Sequence, residues 1–181
     1  METNFLTNSV DCKYYELHQF QEIQKKSKCF SALHLNISSL DKHFNELHTM
    51  LAESKHQFQV IGVTETRLSD SIKTSRKYSI PNYKIEDTPT EASAGGALLY
   101  IAEHLPFLPR EDLSKSLYLA NCIESVFVEI CEPKKKNMIV GCIYRHHTIT
   151  TDDFNQNFLS PLLSKISTEN KTLMLLGDFN I

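Results

Sequence analysis

Apolar residues in this chain come in short blocks divided by polar turns, and the spacing inside each block predicts its element. Phe30-Ser-Ala-Leu-His-Leu-Asn36-Ile37 has the apolar density of a strand that ends at Asn36. From Leu40, apolar side chains recur at Phe44, Leu47 and Leu51. That is the stripe of an amphipathic helix, with Ser38 or Ser39 as its N-cap. Phe58-Gln-Val-Ile-Gly-Val63 is a second buried strand, closed by Thr64-Glu65-Thr66-Arg67. Strand, helix, strand in this order is a βαβ unit compatible with parallel pairing.

The pattern then changes. Residues 66–81 are polar and read as a loop, and Tyr83-Lys-Ile85 as a short strand. Gly95-Gly96 precedes a strand over Ala97–Ile101, and paired glycines there admit a bulge or a close backbone approach. His104–Asp112, with Pro106 and Pro109, reads as a loop. Cys122–Ile130 alternates over its second half, which predicts a half-buried strand. It is followed by a solvated hairpin loop at Glu132–Asn137 and a more buried strand at Met138–Tyr144, so the two strands should pair antiparallel. Thr151 is placed to cap a helix whose first turn, Asp152-Asp153, is acidic. Phe154, Phe158, Leu162 and Ile166 form its apolar face, and Pro161 must kink it or start a second helix. Leu173–Leu176 is a last strand leading into Gly177-Asp178-Phe179-Asn180-Ile181. Residues 1–27 are polar and lack a clear period. They read as a loosely attached leader, with a turn or two of helix over 16–27, ahead of one domain at 28–181. The interleaving predicts mixed sheets with helices outside, in the α/β or α+β range.

Bulk properties narrow the classes. At 181 residues, 41% hydrophobic and 23% charged, the chain suits one globular domain with a real core. A net charge of −3 opposes tight binding of nucleic acid by charge alone, so any DNA contact must be local or weak. Five cysteines without a CxxC pair fit a reducing compartment. No apolar stretch approaches membrane-spanning length, and no basic segment leads into an apolar one at the N-terminus. The expectation is an intracellular protein, nuclear or cytoplasmic, neither secreted nor membrane-bound.

Candidate chemistry collects at strand ends: Asn36, Glu65, Tyr144, and Asp178 with Asn180. If these strands point the same way at one edge, their side chains converge. A carboxylate beside a neutral amide offers hard oxygen ligands suited to Mg2+ rather than zinc. A second carboxylate can orient or deprotonate water, and a phenol can donate to a phosphoryl oxygen. No Cys/His spacing supports zinc, and no Gly-rich phosphate loop precedes a helix. Each residue alone has a plainer reading. Glu65 suits a turn, Asn36 suits the start of the following helix, and Tyr144 suits a core position with a wet hydroxyl. His146-His147 and Lys134–Lys136 suit solvated loops, and His43 and His48 an exposed helix face.

In order, Leu35-Asn36-Ile37-Ser-Ser-Leu40, Ile61-Gly-Val-Thr-Glu65-Thr-Arg-Leu68, Gly95-Gly96-Ala-Leu-Leu-Tyr100, Ile143-Tyr144-Arg145 and Leu176-Gly177-Asp178-Phe179-Asn180 resemble the endonuclease/exonuclease/phosphatase superfamily. More narrowly, they resemble the apurinic-type endonuclease domain of LINE-type, non-LTR retrotransposons. The resemblance runs from about Lys28 to the terminus. It implies a four-layer α/β sandwich and Mg2+- or Mn2+-dependent phosphodiester hydrolysis that nicks DNA for a downstream reverse transcriptase. Carried over by position, Glu65 would be the main metal ligand with Asn36 beside it. Tyr144 would contact the scissile phosphate, Asp178 would activate water, and Asn180 would help hold nucleophile and phosphate. Arg145, His146 and His147, next to Tyr144, are candidate substrate contacts.

Two departures touch substrate contacts: Ser38 stands where such elements often carry a basic residue, and His146-His147 replaces a frequent proline pair. A larger one is that the family continues to a closing Ser-Asp-His element. The chain is therefore expected to be the N-terminal portion of such a domain, weak or inactive alone, with much of the second sheet missing and the inner face of the first bare. Two alternatives stand beside this reading: a non-catalytic remnant that binds a partner and, ranked lower, a lipid or inositol phosphodiesterase or phosphatase of the same superfamily.

Overall fold

The computed structural model describes residues 13–24, 29–131, 133 and 136–181. Residues 1–12 and 25–27 of the leader, Lys28 at the start of the domain, and Glu132, Lys134 and Lys135 of the hairpin loop lie outside them. Two mixed four-stranded sheets face each other. The first has the order β1 (Ala32–Asn36), β2 (Val60–Thr64), β4 (Ala97–Ala102), β3 (Tyr83–Thr88). The second has the order β5 (Phe107–Pro109), β6 (Ile123–Ile130), β7 (Met138–Arg145), β8 (Thr172–Asp178). In each sheet one edge pair is parallel, β1 with β2 and β7 with β8, and the remaining pairs are antiparallel. The two parallel pairs share one side of the sandwich, with β1 facing β8.

Period-two alternation builds the layers. Along β2, Val60 points between the sheets, while Ile61 and Val63 point outward to α2 (Leu40–Ser54). Along β6, Val126, Val128 and Ile130 point inward, while Ile123 and Phe127 pack under α3 (Glu111–Ser116), α4 (Thr151–Phe154) and α5 (Ser160–Ser167). The inner layer is thus an apolar seal of Val60, Leu99, Ile101, Val128, Val140 and Cys142. Burying such side chains contributes about 1.5–3 kcal/mol each. The inner face of the first sheet is therefore covered, not bare, because β6, β7 and β8 supply the facing apolar rows. The four edge strands β1, β3, β5 and β8 are less buried than the central ones, with Leu33, Leu35, Leu173 and Leu175 only partly covered.

Several elements differ from expectation for physical reasons. β6 is buried at all eight positions rather than half-buried, because helices cover its outer face. The prolines around residue 106 masked β5, three residues long and ending at Pro109, and the six-residue α3 after it. Thr150, not Thr151, caps α4: its Oγ1 accepts from the Asp153 N–H at 3.1 Å. Pro161 is accommodated by a π-helical turn, Asn155–Leu159, after which it opens α5. Neither Ser38 nor Ser39 caps α2 with its side chain. Ahead of β1, α1 (Leu17–Gln24) is anchored by Phe20, whose ring stacks on Phe58 at 6.0 Å.

Phe127 lies over Gly141 of the neighbouring strand, where an added Cβ would stand 2.2 Å from its ring. Gly141→Ala is expected to lower stability by about 1–3 kcal/mol, read from urea unfolding, with partial recovery in the Gly141→Ala/Phe127→Leu double variant. An unchanged midpoint in Gly141→Ala contradicts this packing.

A candidate active site at the ends of the parallel strands

Both parallel pairs end at the same pole of the sandwich, and each delivers polar side chains there. In the second sheet, Glu124, Tyr144 and Asp178 form one row across β6, β7 and β8. In the first, Asn36 stands level with Thr64, and Glu65 follows directly. The strand ends predicted to converge do converge. The Asn36 Nδ2 donates to Glu65 Oε1 at 2.8 Å and to Asp178 Oδ2 at 2.7 Å, joining two carboxylates from different sheets. The Tyr144 hydroxyl donates to the same Glu65 oxygen across 3.3 Å.

The loop that carries Glu65 is held in an uncommon shape. Glu65 and Arg67 both have left-handed backbone, with φ of 54° and 56°. Such positions cost free energy for residues other than glycine and persist where the surroundings fix them. Here the Ile37 N–H bonds Thr64 O, the Leu40 N–H bonds Thr66 O, and the Arg67 N–H bonds Gly95 O. Thr66 is buried against Gly96, where an added Cβ would stand 2.2 Å from its Oγ1. The glycine pair thus serves a close backbone approach, which is one of the two roles its sequence allows.

Asp178 is fixed in the same manner. Its Oδ1 accepts the Asn180 N–H at 3.1 Å while Oδ2 faces Asn36. Asn180 also has left-handed backbone, φ 47°, and its side-chain amide donates to the Arg145 carbonyl at 2.5 Å. Arg145 and His146 are not at a surface that meets solution. Arg145 is 3% exposed, and its guanidinium donates to the carbonyls of Phe179, Ile149 and Asn180. It clamps the segment that carries Asp178. His146 is 8% exposed and bonded to Glu124. Only His147 of the three is exposed.

Sequence reading missed three residues here. Arg67 donates to Glu65 Oε2 and to Ser38 Oγ, both at 3.2 Å, so a guanidinium stands beside Glu65 and Ser38. Glu124 was not singled out in the strand over Cys122–Ile130, yet it is 1% exposed. Thr90 donates to Glu124 Oε1 at 2.8 Å. The available signal for Glu124 was its register, directly opposite Tyr144, which requires the β6–β7 pairing to be known.

Protonation follows from these contacts. Burial pushes the Glu65 carboxyl up, but hydrogen bonds from Asn36, Arg67 and Tyr144 and the Arg67 charge outweigh it, leaving it below its ordinary value. Burial, with the Glu65, Asp178 and Glu124 charges, pushes the Tyr144 phenol up to about 12, so it stays a donor at neutral pH. Burial lowers His34, which lies beneath the site against Thr64, although Asp178 opposes the shift.

Among the described residues, no three His, Cys, Asp or Glu side chains gather around one point. The oxygen donors facing the site are two carboxylates, since the Asn36 amide turns its Nδ2 to both and its carbonyl accepts from the Ser38 N–H at 3.2 Å. That set suits a hard divalent ion held by one or two carboxylates with water completing its shell. A separate cavity of about 320 Å3, lined by Lys73, Glu86, Thr88 and Tyr118 among others, shares no residue with this site.

No family model and no curated protein matches this sequence. Solved structures match its fold. An AP endonuclease from Leishmania major superposes with a TM-score of 0.57 at 15% identity, over 84% of this chain and 55% of that one. The human nocturnin catalytic domain with a bound sulfate anion gives 0.56 at 14% identity, over 84% and 64%. A Neisseria 3′ phosphatase bound to a product DNA hairpin gives 0.54 at 13% identity, over 84% and 58%. Two mixed sheets flanked by helices are the α/β fold that this chain shares with these structures. The chain spans 55–64% of the length of these three structures. Among the described residues no helix is long and apolar enough to cross a membrane.

The Glu65 contacts have a pH consequence. A carboxyl held below its ordinary 4.5 in the fold stabilises the fold above that value and loses this contribution as pH falls through its lower folded value. In metal-free protein taken from about pH 6 to about pH 3, the urea midpoint should fall further in the parent than in Glu65→Gln. Equal falls would show that Glu65 is not held by these donors.

Proposed function

We propose that the chain carries the phosphodiester-cleaving site of a divalent-metal-dependent DNA endonuclease of the LINE-type retrotransposon kind. The carrying observation is the Asn36 amide that binds Glu65 and Asp178 together, with the Tyr144 hydroxyl aimed at the same carboxylate. The fold supports the class of chemistry, since the neighbours named above include an AP endonuclease and a 3′ phosphatase bound to DNA.

In this reading Glu65 holds Mg2+ or Mn2+, with Asn36 beside it. The ion, when bound, supplies charge neutralisation at the phosphate and at the departing 3′ oxygen. The chain supplies the rest. Tyr144, kept protonated, donates to a phosphoryl oxygen. Asp178, with one oxygen on the Asn180 N–H and the other on Asn36, orients water and accepts its proton. Arg67 gives the site a local cation despite the net charge of −3, and His147 is the exposed candidate substrate contact.

The LINE-type assignment rests on the ordered motifs. It adds a reverse transcriptase downstream in a full-length element and makes residues 28–181 the N-terminal portion of the domain. The closing Ser-Asp-His element implied by the resemblance does not occur among these 181 residues. Slow turnover is therefore expected from this chain alone, since losing one member of a coupled catalytic set costs roughly 10³-fold or more.

The test is nicking of supercoiled plasmid at high protein concentration. The expected result is slow, Mg2+-dependent nicking that is lost with a chelator and in both Glu65→Ala and Asp178→Ala. Nicking that survives those variants would place the activity elsewhere. No nicking at any concentration would favour a non-catalytic, partner-binding fragment. Hydrolysis of a lipid phosphodiester but not of DNA would move the chain to the lipid branch.

A further inference from the structure

The long hydroxyl bond from Tyr144 raises the question of what aims the phenol. At 3.3 Å to Glu65 it is well beyond the usual 2.7–2.8 Å of an O–H···O bond and holds the ring weakly. The ring has a closer restraint. His146, two residues on and therefore on the same face of the chain, meets it edge-on, with centroids 4.7 Å apart and planes at 71°. His146 is itself held: its Nε2 stands 2.7 Å from Glu124 Oε2. Glu124 is held in turn, since its other oxygen accepts from Thr90 Oγ1 at 2.8 Å. Gly95 closes over this group, and an added Cβ there would come within 2.8–2.9 Å of the Glu124, His146 and Thr90 polar atoms.

A structural plug is the competing explanation, but it accounts poorly for the residue types. A carboxylate 1% exposed and paired to an imidazole is costly to desolvate, and apolar side chains of similar volume usually seal such a place as well or better. What the pair offers beyond sealing is a rigid, fully bonded edge against one aromatic ring, and that ring carries the only phenol bonded to Glu65 among the described residues. The Glu124 charge also helps keep that phenol protonated.

We propose that Glu124 and His146 are positioning residues which, through Thr90 and Gly95, fix the Tyr144 ring so that its hydroxyl points at the reacting phosphate. The geometric part stands alone; the consequence for catalysis rests on the proposed endonuclease reading. The pair forms a relay of contacts from Thr90 to Tyr144, each member restraining the next, and no proton need travel along it.

The experiment separates the two parts. In the unmodified chain with 13C-labelled tyrosine and 15N-labelled histidine, close contacts between the Tyr144 and His146 ring protons and a hydrogen-bonded His146 Nε2 proton are expected. Their absence overturns the proposal without any variant. In His146→Gln and in Glu124→Gln, the Tyr144 ring signals should shift while those of Tyr83 and Tyr100 stay in place as reporters of the fold. Unmoved Tyr144 signals in both variants overturn it. In nicking assays, His146→Gln should lower kcat by roughly ten- to a hundredfold with KM for DNA within about twofold. An unchanged kcat, or a loss confined to KM, overturns the catalytic consequence. If the parent does not nick, the endonuclease reading fails while the ring signals still decide the positioning.

Discussion

Everything at the candidate site depends on one amide shared by two carboxylates. Asn36 belongs to the first sheet and Asp178 to the second, and Glu65 leaves the first sheet one strand away. Two carboxylates this close would repel without a common donor. The Asn36 Nδ2 supplies two bonds of 2.7 and 2.8 Å, satisfying both. Because the Asn36–Asp178 bond crosses between sheets, the site can only be as well formed as the apolar seal beneath it. Val60, Val140 and Cys142 set the spacing of the sheets, and the polar cluster caps one end of that seal.

The arrangement also explains why uncommon backbone gathers at this pole. Ser38, Ser39, Glu65, Arg67 and Asn180 all have positive φ, and all lie just beyond strand ends that reach the site. Each turn away from a strand must leave a side chain behind to face its neighbour. Left-handed backbone does this in one residue. Its cost is met by fixed contacts: Thr66 in the space left by Gly96, and the Arg145 guanidinium on three carbonyls. Arg145 is thus a clamp for the Asp178 segment, a role that its neighbour Tyr144 does not suggest.

Much of this was legible in the sequence, and what was not has a common cause. The strands that lead to Asn36, Glu65, Tyr144 and Asp178 were visible because buried strands are apolar and end abruptly in polar residues. Reading β1, α2 and β2 as a parallel unit brought Asn36 and Glu65 to one edge, while the arrival of Tyr144 and Asp178 there was conditional on strand directions that local pattern does not give. By contrast, the burial of Glu124, Arg145 and His146 depends on which faces the loops and helices cover, and local pattern does not record that. A polar residue in a strand looks alike whether it faces water or a bonded partner. β5 and α3 escaped because each is too short for its period to show. The bare inner face was expected because the resemblance places much of the second sheet beyond residue 181, whereas β5 to β8 already form a four-stranded facing sheet.

The proposed function requires side chains from both sheets to form one ion-binding site at this pole. Adding Mn2+ in small steps to isotopically labelled protein and following paramagnetic broadening tests it without any need for turnover. Signals of Asn36, Glu65, Tyr144 and Asp178 are expected to broaden together at the lowest concentrations, while those of Gly141 and Phe127 stay sharp. Broadening that begins instead at Asp112, Glu129 and Glu169, the carboxylates that ion-pair with Arg110, or that reaches Glu65 without Asp178, would contradict it.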